Sequence, residues 1–412
     1  MSQAINKIVI VGGGAAGFFA ANIIHENAPQ ISITILEQGN KVMQKVKVSG
    51  GGRCNVTNAV IEREKLPEYY PRGWKLLRKL FSQFSNEDLI NWFENKGIAL
   101  KTEADNRMFP TTDNSQTIID GLRNVVRQNN VEVITSCKVT HLNFTNNQWQ
   151  VDLLKHPSIK ADAVLIATGS SNFIYELLAK KGVQIVAPLP SLFTFNIQND
   201  IRLQDIAGIA VQNTIVKIVG DKMTSEGPTL ITHWGLSGPA ILKLSSWAAQ
   251  KLHESNYQFT VIVNWSGLHT EECRNHLNRI RESHPNKLVH GNNAFDIPKR
   301  LWKKLVQSAN IEEQMTWNAL SKKHINSLNE QVSNCQFKVN GKSTFKEEFV
   351  TCGGVALQEV NSKTLEHKNL KNLFFAGEVL DIDAITGGYN FQAAWTTAYV
   401  AAKAICGQDN AT

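Results

Sequence analysis

The sequence predicts an α/β fold in which a parallel sheet with covering helices is interrupted by a long insertion. A β-branched run, Lys7-Ile8-Val9-Ile10-Val11, enters a glycine-rich turn and then an alanine-rich helical stretch, Ala15 to His25. Two more apolar strands, Ala161 to Ala167 and Asn372 to Ala376, each end in a glycine turn far along the chain. Between them, residues 191–345 keep a different rhythm, alternating at first and helical later. Near-continuous apolar strands indicate a parallel sheet covered on both faces, and strands alternating with helices indicate βαβ units.

At 412 residues the chain exceeds one ordinary core, so two or three domains are expected. Apolar residues at 42% and charged residues at 19% form an ordinary globular mixture, which argues against disorder. The first strand begins almost at once, with no basic leader or small-residue cleavage site, so a folded start rather than a signal peptide is expected. The most apolar stretch, Ile8 to Ile24, carries four glycines and reads as strand, turn and helix rather than a membrane span. Six scattered cysteines without a C-x-x-C pair indicate neither a disulfide framework nor a zinc site; no metal and a reducing cytoplasm are expected. The net charge is +7, and residues 41–80 hold ten Lys/Arg against three Glu. That local excess is either a solvated face or a surface for an anionic ligand such as nucleic acid.

The first turn reads Gly12-Gly13-Gly14-Ala15-Ala16-Gly17, a G-x-G-x-x-G between strand and helix. A second strand, Ile31 to Leu36, ends at Glu37, twenty residues past Gly17. Each part has a mechanical task in holding a dinucleotide. Gly12 permits the tight turn, Gly14 admits backbone amides to a pyrophosphate, and Gly17 lets helix approach strand. The helix start at Ala15 and Ala16 supplies partial positive charge. Glu37 accepts ribose hydroxyls and repels a 2′-phosphate, which favours the ADP half of FAD or NAD over NADP.

Three later segments choose FAD. The strand ending Ala167-Thr168-Gly169 returns the chain to the nucleotide domain. The strand before Gly377-Glu378, followed by Asp381, places acids for ribityl hydroxyls. Thr386-Gly387-Gly388-Tyr389-Asn390-Phe391-Gln392 opens a helical stretch, Ala393 to Ile405. Its N-terminus beside the flavin N1–C2=O edge would stabilise negative charge on reduced flavin and favour hydride transfer through N5.

The run Ser49-Gly50-Gly51-Gly52-Arg53-Cys54-Asn55-Val56-Thr57-Asn58 resembles the signature of a bacterial family of FAD-binding flavoproteins. These are aminoacetone-oxidase-like or bile-acid-reductase-like NAD(P)/FAD-dependent oxidoreductases with two-dinucleotide-binding-domain architecture. Arg107-Met108-Phe109-Pro110, Thr232 to Pro239, Thr351 to Val355, Ala376 to Asp381 and Thr386 to Gln392 match in order, so the resemblance spans nearly the whole chain. Ala384 departs from it, since the family commonly carries Gly after the acid. The resemblance implies a Rossmann-like, glutathione-reductase-type FAD domain covered by its insertion. It also implies NAD(P)H-driven reduction of a C=C bond in a steroid-like or other small substrate. The same family hosts reduction of uridine to dihydrouridine in ribosomal RNA, which the basic 41–80 segment favours. An amine or aminoketone oxidase and a non-catalytic flavin-loaded RNA-binding protein are the further alternatives.

The FAD domain is therefore expected at 1–190 and 346–412, with a β-barrel-like subdomain at 191–267 and a helical one at 268–345. Val131–Ile134 and Trp149–Leu153 suggest a small β-meander. Within the insertion, Thr270, Pro298 and Ser321 are expected to open helices, the second burying Leu301, Trp302, Leu305 and Val306.

Besides the residues named above, Gln38, Lys45, Ser49, Gly50, Gly51, Arg53, Cys54, Asn55 and Val139 are expected to touch FAD. Arg53 is expected on phosphate or an anionic flavin edge. Cys54 has no partner cysteine four or five residues on, which disfavours a dithiol reductase. It remains a candidate proton donor or a packed thiol. His233, in a Gly/Pro-rich loop, and Tyr389 are the other candidate acids, and Arg107 a candidate contact for an anionic substrate. No second G-x-G-x-x-G occurs, so a nicotinamide donor would dock transiently.

Overall fold

In the computed structural model the chain splits into two compact units, residues 1–189 with 346–412 and residues 190–345. The structure describes residues 5–343 and 350–408; the expected boundary at 345/346 lies outside the described residues.

The first unit is built on a five-stranded parallel sheet in the order Leu373–Phe375, Ala163–Ile166, Lys7–Val11, Ser32–Leu36, Val131–Ile134. Its central strand is covered on both faces, with Ile8, Val9 and Ile10 fully buried. The helix that follows, Ala15–Asn27, buries every residue from Ala16 to Ile24. It can be apolar all round because the sheet takes one side and the last helix, Tyr389–Ile405, packs on the other. Close approach to the strand depends on Gly17, where a Cβ would stand 2.0 Å from the Gly12 carbonyl oxygen.

Val131–Ile134 is not part of a meander: it is the edge strand of the parallel sheet, in register with Ile33–Leu36. The meander consists instead of Val139–Thr145, Gln148–Leu153 and His156–Ala161. Its first hairpin turns on Asn146-Asn147, both at positive φ (50° and 59°), the backbone that matches hairpin twist. A strand pair, Ile185–Pro190 with Thr351–Val355, brings the late strand back to this unit. Pro188 and Pro190 thus lie in a strand with one partner among the described residues, where a missing N–H costs little.

The second unit carries a seven-stranded antiparallel sheet that starts at Cys335–Asn340 and Gln258–Asn264 and ends at Thr194–Asn196 and Lys342–Ser343. The helix Pro239–Glu254, opened by Gly238-Pro239, packs on it and interrupts the stretch read as β-rich. Three more helices follow: Thr270–Ser283, Lys299–Ser308 and Lys322–Ser333. The first is capped by His269 rather than Thr270, and the third by Ser321, whose hydroxyl accepts from His324 N–H at 3.2 Å. Leu301, Trp302, Leu305 and Val306 are buried in one core with Val261, Val263 and Phe337. The division of the insertion at 267/268 therefore does not divide the core. No described helix is long and apolar enough to cross a membrane.

Gly17→Ala would force helix and strand apart. We expect a loss of about 1–3 kcal/mol, the usual cost of overpacking a tight core, seen as a thermal midpoint lower by several degrees.

Candidate flavin site

The nucleotide end is set by the turn after the first strand. Gly12 has φ +117°, and a Cβ there would lie 2.4 Å from the Ala167 carbonyl oxygen, so the turn runs against Ala167-Thr168. Gly14 opens the helix with no side-chain cap, and no atom lies within 4 Å of where its Cβ would stand. Amides at an uncapped helix start, facing open space, suit an anion. The Glu37 carboxylate is held beside them, accepting from Gly13 N–H at 2.9 Å and Gly39 N–H at 2.7 Å. A carboxylate offers about four lone-pair positions, so ribose hydroxyls can be accepted as well. The Glu37 carbonyl accepts from Cys137 N–H at 2.9 Å, which draws the start of the Val139 strand alongside. Gln38 is exposed next to it.

The middle of the cradle is acidic and glycine-lined. Glu378 accepts from Lys45 Nζ at 2.7 Å and from Thr351 N–H at 3.0 Å. Gly377 lies against Ala16, and Gly169 faces the Glu378 carboxylate. Asp381 accepts from Gly353 N–H at 2.9 Å, and burial raises the pKa of its carboxyl. Ser49, Gly50 and Gly51 form a kinked turn in which Gly50 is wedged against Asn55 and Phe109, while the space over Gly51 is open. Gly14, Gly51 and the uncapped helix start show that these residues fit a bound dinucleotide.

At the end of the cradle where the flavin ring is expected, the segments around Thr57 and Gly388 meet. Gly388, at φ +93°, opens the last helix without a side-chain cap, and a Cβ there would stand 2.4 Å from the Thr57 carbonyl carbon. Asn55 sits between the Thr57 and Met108 carbonyls (3.0 and 3.3 Å) and the Gly388 N–H (2.9 Å); its amide nitrogen belongs on the carbonyl side. Thr57 donates to Gln392 at 2.6 Å, and Asn58 to the Gly387 carbonyl at 3.2 Å. Asn390 bonds both the Ala384 N–H and the Ala384 carbonyl, which fixes the loop leading in. Tyr389 is nearly buried, stacked on Tyr69 at 4.6 Å and 11°, and burial raises its phenol pKa well above normal.

Other expected site residues are placed elsewhere or otherwise engaged. Arg53 lies over the Phe109 ring and pairs with Glu103 at 2.5 Å and Asp113 at 3.4 Å, so carboxylates rather than phosphate hold it. Arg107 pairs with Asp105 at 2.7 Å and Glu103 at 3.3 Å, and that surface network replaces the expected substrate contact. Cys54 is fully buried, and burial pushes its thiol up to about 12. It is a packed core thiol closed to substrate, at a left-handed φ of 62°. His233 lies exposed in the second unit, in the turn where Thr232 accepts from Trp234 and Gly235 N–H. Among the described residues no group of three or more His, Cys, Asp or Glu is arranged for a metal.

Sequence reasoning missed the buried Arg72–Asp383 pair, in which Asp383 has no exposure and Arg72 reaches it through Nε and a terminal nitrogen. The partners are 311 residues apart, and only the neighbouring Asp381 hinted at an acid in that loop. Together with the Ile385 N–H bond to the Tyr69 carbonyl (2.9 Å), the pair fastens the loop before the last helix to residues 69–73.

Gly388→Ala is expected to strain this junction by about 1–3 kcal/mol. FAD retention should fall roughly ten- to a hundredfold, read from flavin absorbance per protein after gel filtration. Gly97→Ala, also at positive φ but with open space around it, should leave FAD content unchanged.

A family model described as the HI0933-like protein Rossmann domain matches residues 6–404. The chain is 29% identical over 405 residues to a ribosomal RNA dihydrouridine synthase of Escherichia coli (strain K12), covering 96% of each. It is 24% identical over 412 residues to the 3-dehydro-bile acid delta(4,6)-reductase of Clostridium scindens, covering 97% of this chain and 99% of that one. The 3-ketosteroid delta1-dehydrogenase of Sterolibacterium denitrificans shares the fold at TM-score 0.51 and 10% identity, covering 98% of this chain and 100% of that one. The chain belongs to the HI0933-like family, and it is an FAD-dependent oxidoreductase with a Rossmann-type cofactor domain.

Proposed function

We propose that this enzyme uses NAD(P)H to reduce the C=C bond of a uridine base in ribosomal RNA. The observation that carries the reading is charge left unneutralised on the cofactor domain itself. Of the ten cations in residues 41–80, Lys45, Arg53, Lys65 and Arg72 are ion-paired. The other six, Lys41, Lys47, Arg63, Lys75, Arg78 and Lys79, are exposed and make no ion pair with a described carboxylate. A small apolar substrate has no use for such a surface, whereas a polyphosphate chain does. The full-length likeness to a ribosomal RNA dihydrouridine synthase points the same way.

Bound FAD would supply hydride acceptance from the nicotinamide and hydride donation to the electron-poor carbon of the substrate. The chain must then orient the base and supply one proton to the neighbouring carbon. Tyr389, protonated at neutral pH and set at the opening of the last helix, is our candidate for that proton. A second reading, reduction of a small C=C substrate, is favoured by the likeness to the bile-acid reductase.

Under anaerobic conditions NADH or NADPH should bleach the bound flavin, and unmodified ribosomal RNA should restore its colour. Recovery with small enones alone would move the assignment to the second reading. Recovery with oxygen alone, or no bleaching at all, would contradict both.

A further inference from the structure

The short helix Trp74–Leu80 has the sequence WKLLRKL, with three cations and no acid. Leu76, Leu77 and Leu80 are buried, so packing turns Lys75, Arg78 and Lys79 outward. Lys75 stands one turn from both Arg78 and Lys79, and like charges at these spacings weaken a helix. No described carboxylate relieves them. Arg63 adds a fourth cation, its guanidinium donating to the Arg78 carbonyl at 3.0 Å. Among them stands Trp74, half-buried, with Lys75 Nζ and Arg78 Cζ each 5.5 Å from its ring centroid. Cations that alternate with an aromatic face suit a nucleic-acid strand, whose phosphates pair with the cations while a base stacks on the ring.

The position of this face ties it to the cofactor site. Directly before the helix, Arg72 pairs with Asp383 and Gly73 packs against Ile382. Tyr69, three residues earlier, is stacked on Tyr389 at the opening of the last helix. The helix also packs on that last helix. A strand held on Trp74 therefore lies beside the flavin end of the cradle, in the same unit.

We propose that Arg63, Trp74, Lys75, Arg78 and Lys79 form the surface that holds the RNA strand flanking the target base. This rests on the ribosomal RNA reading above. A single strand whose backbone is neutralised by cations and whose base stacks on an indole is the occupant this chemistry fits.

The test uses the FAD-loaded full chain and a fluorescent, unmodified ribosomal RNA fragment, with affinity measured across a series of KCl concentrations. Each lost phosphate contact lowers the slope of log affinity against log salt by about 0.7 for a single strand. Lys75→Ala, Arg78→Ala and Lys79→Ala together should flatten it by about 2. Trp74→Ala should weaken binding roughly tenfold at every salt concentration, with its slope unchanged. Both variants should keep wild-type flavin reduction by the nicotinamide, which shows that fold and cofactor are intact. An unchanged slope in the triple variant, with wild-type RNA binding and reduction intact, would overturn the surface and leave the RNA reading standing. Absence of RNA binding by the wild type would overturn both. Equal capture of anionic lipid vesicles, lost in the same variants and accompanied by no preference for RNA, would reassign the face to membrane and also overturn the proposal.

Discussion

The structure of the cofactor unit depends on one close approach, that of the Gly388 backbone to the Thr57 backbone. Any side chain at 388 would meet Thr57 at 2.4 Å, so the C-terminal helix can start there only on a glycine. Once it starts there, the rest of the junction follows. Trp395 lies fully buried with its indole N–H on the Val56 carbonyl at 3.0 Å, and Gln392 is equally buried against Thr57. The helix then runs back along Ala15–Asn27 and closes the layer over the sheet. Residues more than 300 positions apart are thereby joined into one cradle.

The electrostatics of that cradle have a consistent sense. Two helices open in it on glycine, without side-chain caps, and each brings roughly half a positive charge at its start. The acids set among them, Glu37, Glu378 and Asp381, are each held by backbone N–H groups. Fixing a carboxylate with backbone donors orients it at little entropic cost, because the donors are already immobile. The basic side chains of residues 41–80 divide into two sets. Four are bound to acids of the chain, among them Lys45 and Arg72 on the cradle side, and the remainder face solvent. The acids of the cradle are thus held by backbone donors, while six cations of residues 41–80 are exposed and pair with no described carboxylate.

Much of this was readable from residue order, because the features concerned are local. Gly12 to Gly17 and Glu37 lie within one βαβ unit, where a turn, a helix start and the next strand end meet at fixed spacing. The helices on Pro298 and Ser321 carried their own caps and apolar faces. The helix Pro239–Glu254 was missed although Gly238-Pro239 marks its start, because the β-rich pattern on both sides carried the reading across it. The misplacement of Val131–Ile134 has a different cause. Its residues are those of any strand, and only pairing decides between a hairpin and the parallel edge. The roles assigned to Arg53 and Arg107 shifted because Glu103 and Asp113 reach Arg53 across the fold, while Arg107 pairs with Asp105 and Glu103 in the turn of its own hairpin. The sequence leaves Cys54 between proton donor and packed thiol, and the fold turns its sulfur into the core. The Arg53 pairing, the burial of Cys54 and the Arg72–Asp383 pair are set by tertiary packing that no short window records, whereas the partners of Arg107 are local.

If the protein reduces a uridine in ribosomal RNA, as proposed, the mass of the product records it. Ribosomal RNA lacking modifications would be incubated with the FAD-loaded protein and reduced nicotinamide, digested, and mapped by mass spectrometry. One uridine-containing fragment should gain the mass of two hydrogens, and only when protein and nicotinamide are both present. RNA of unchanged mass, under conditions in which the same preparation reduces a small C=C substrate, would contradict it.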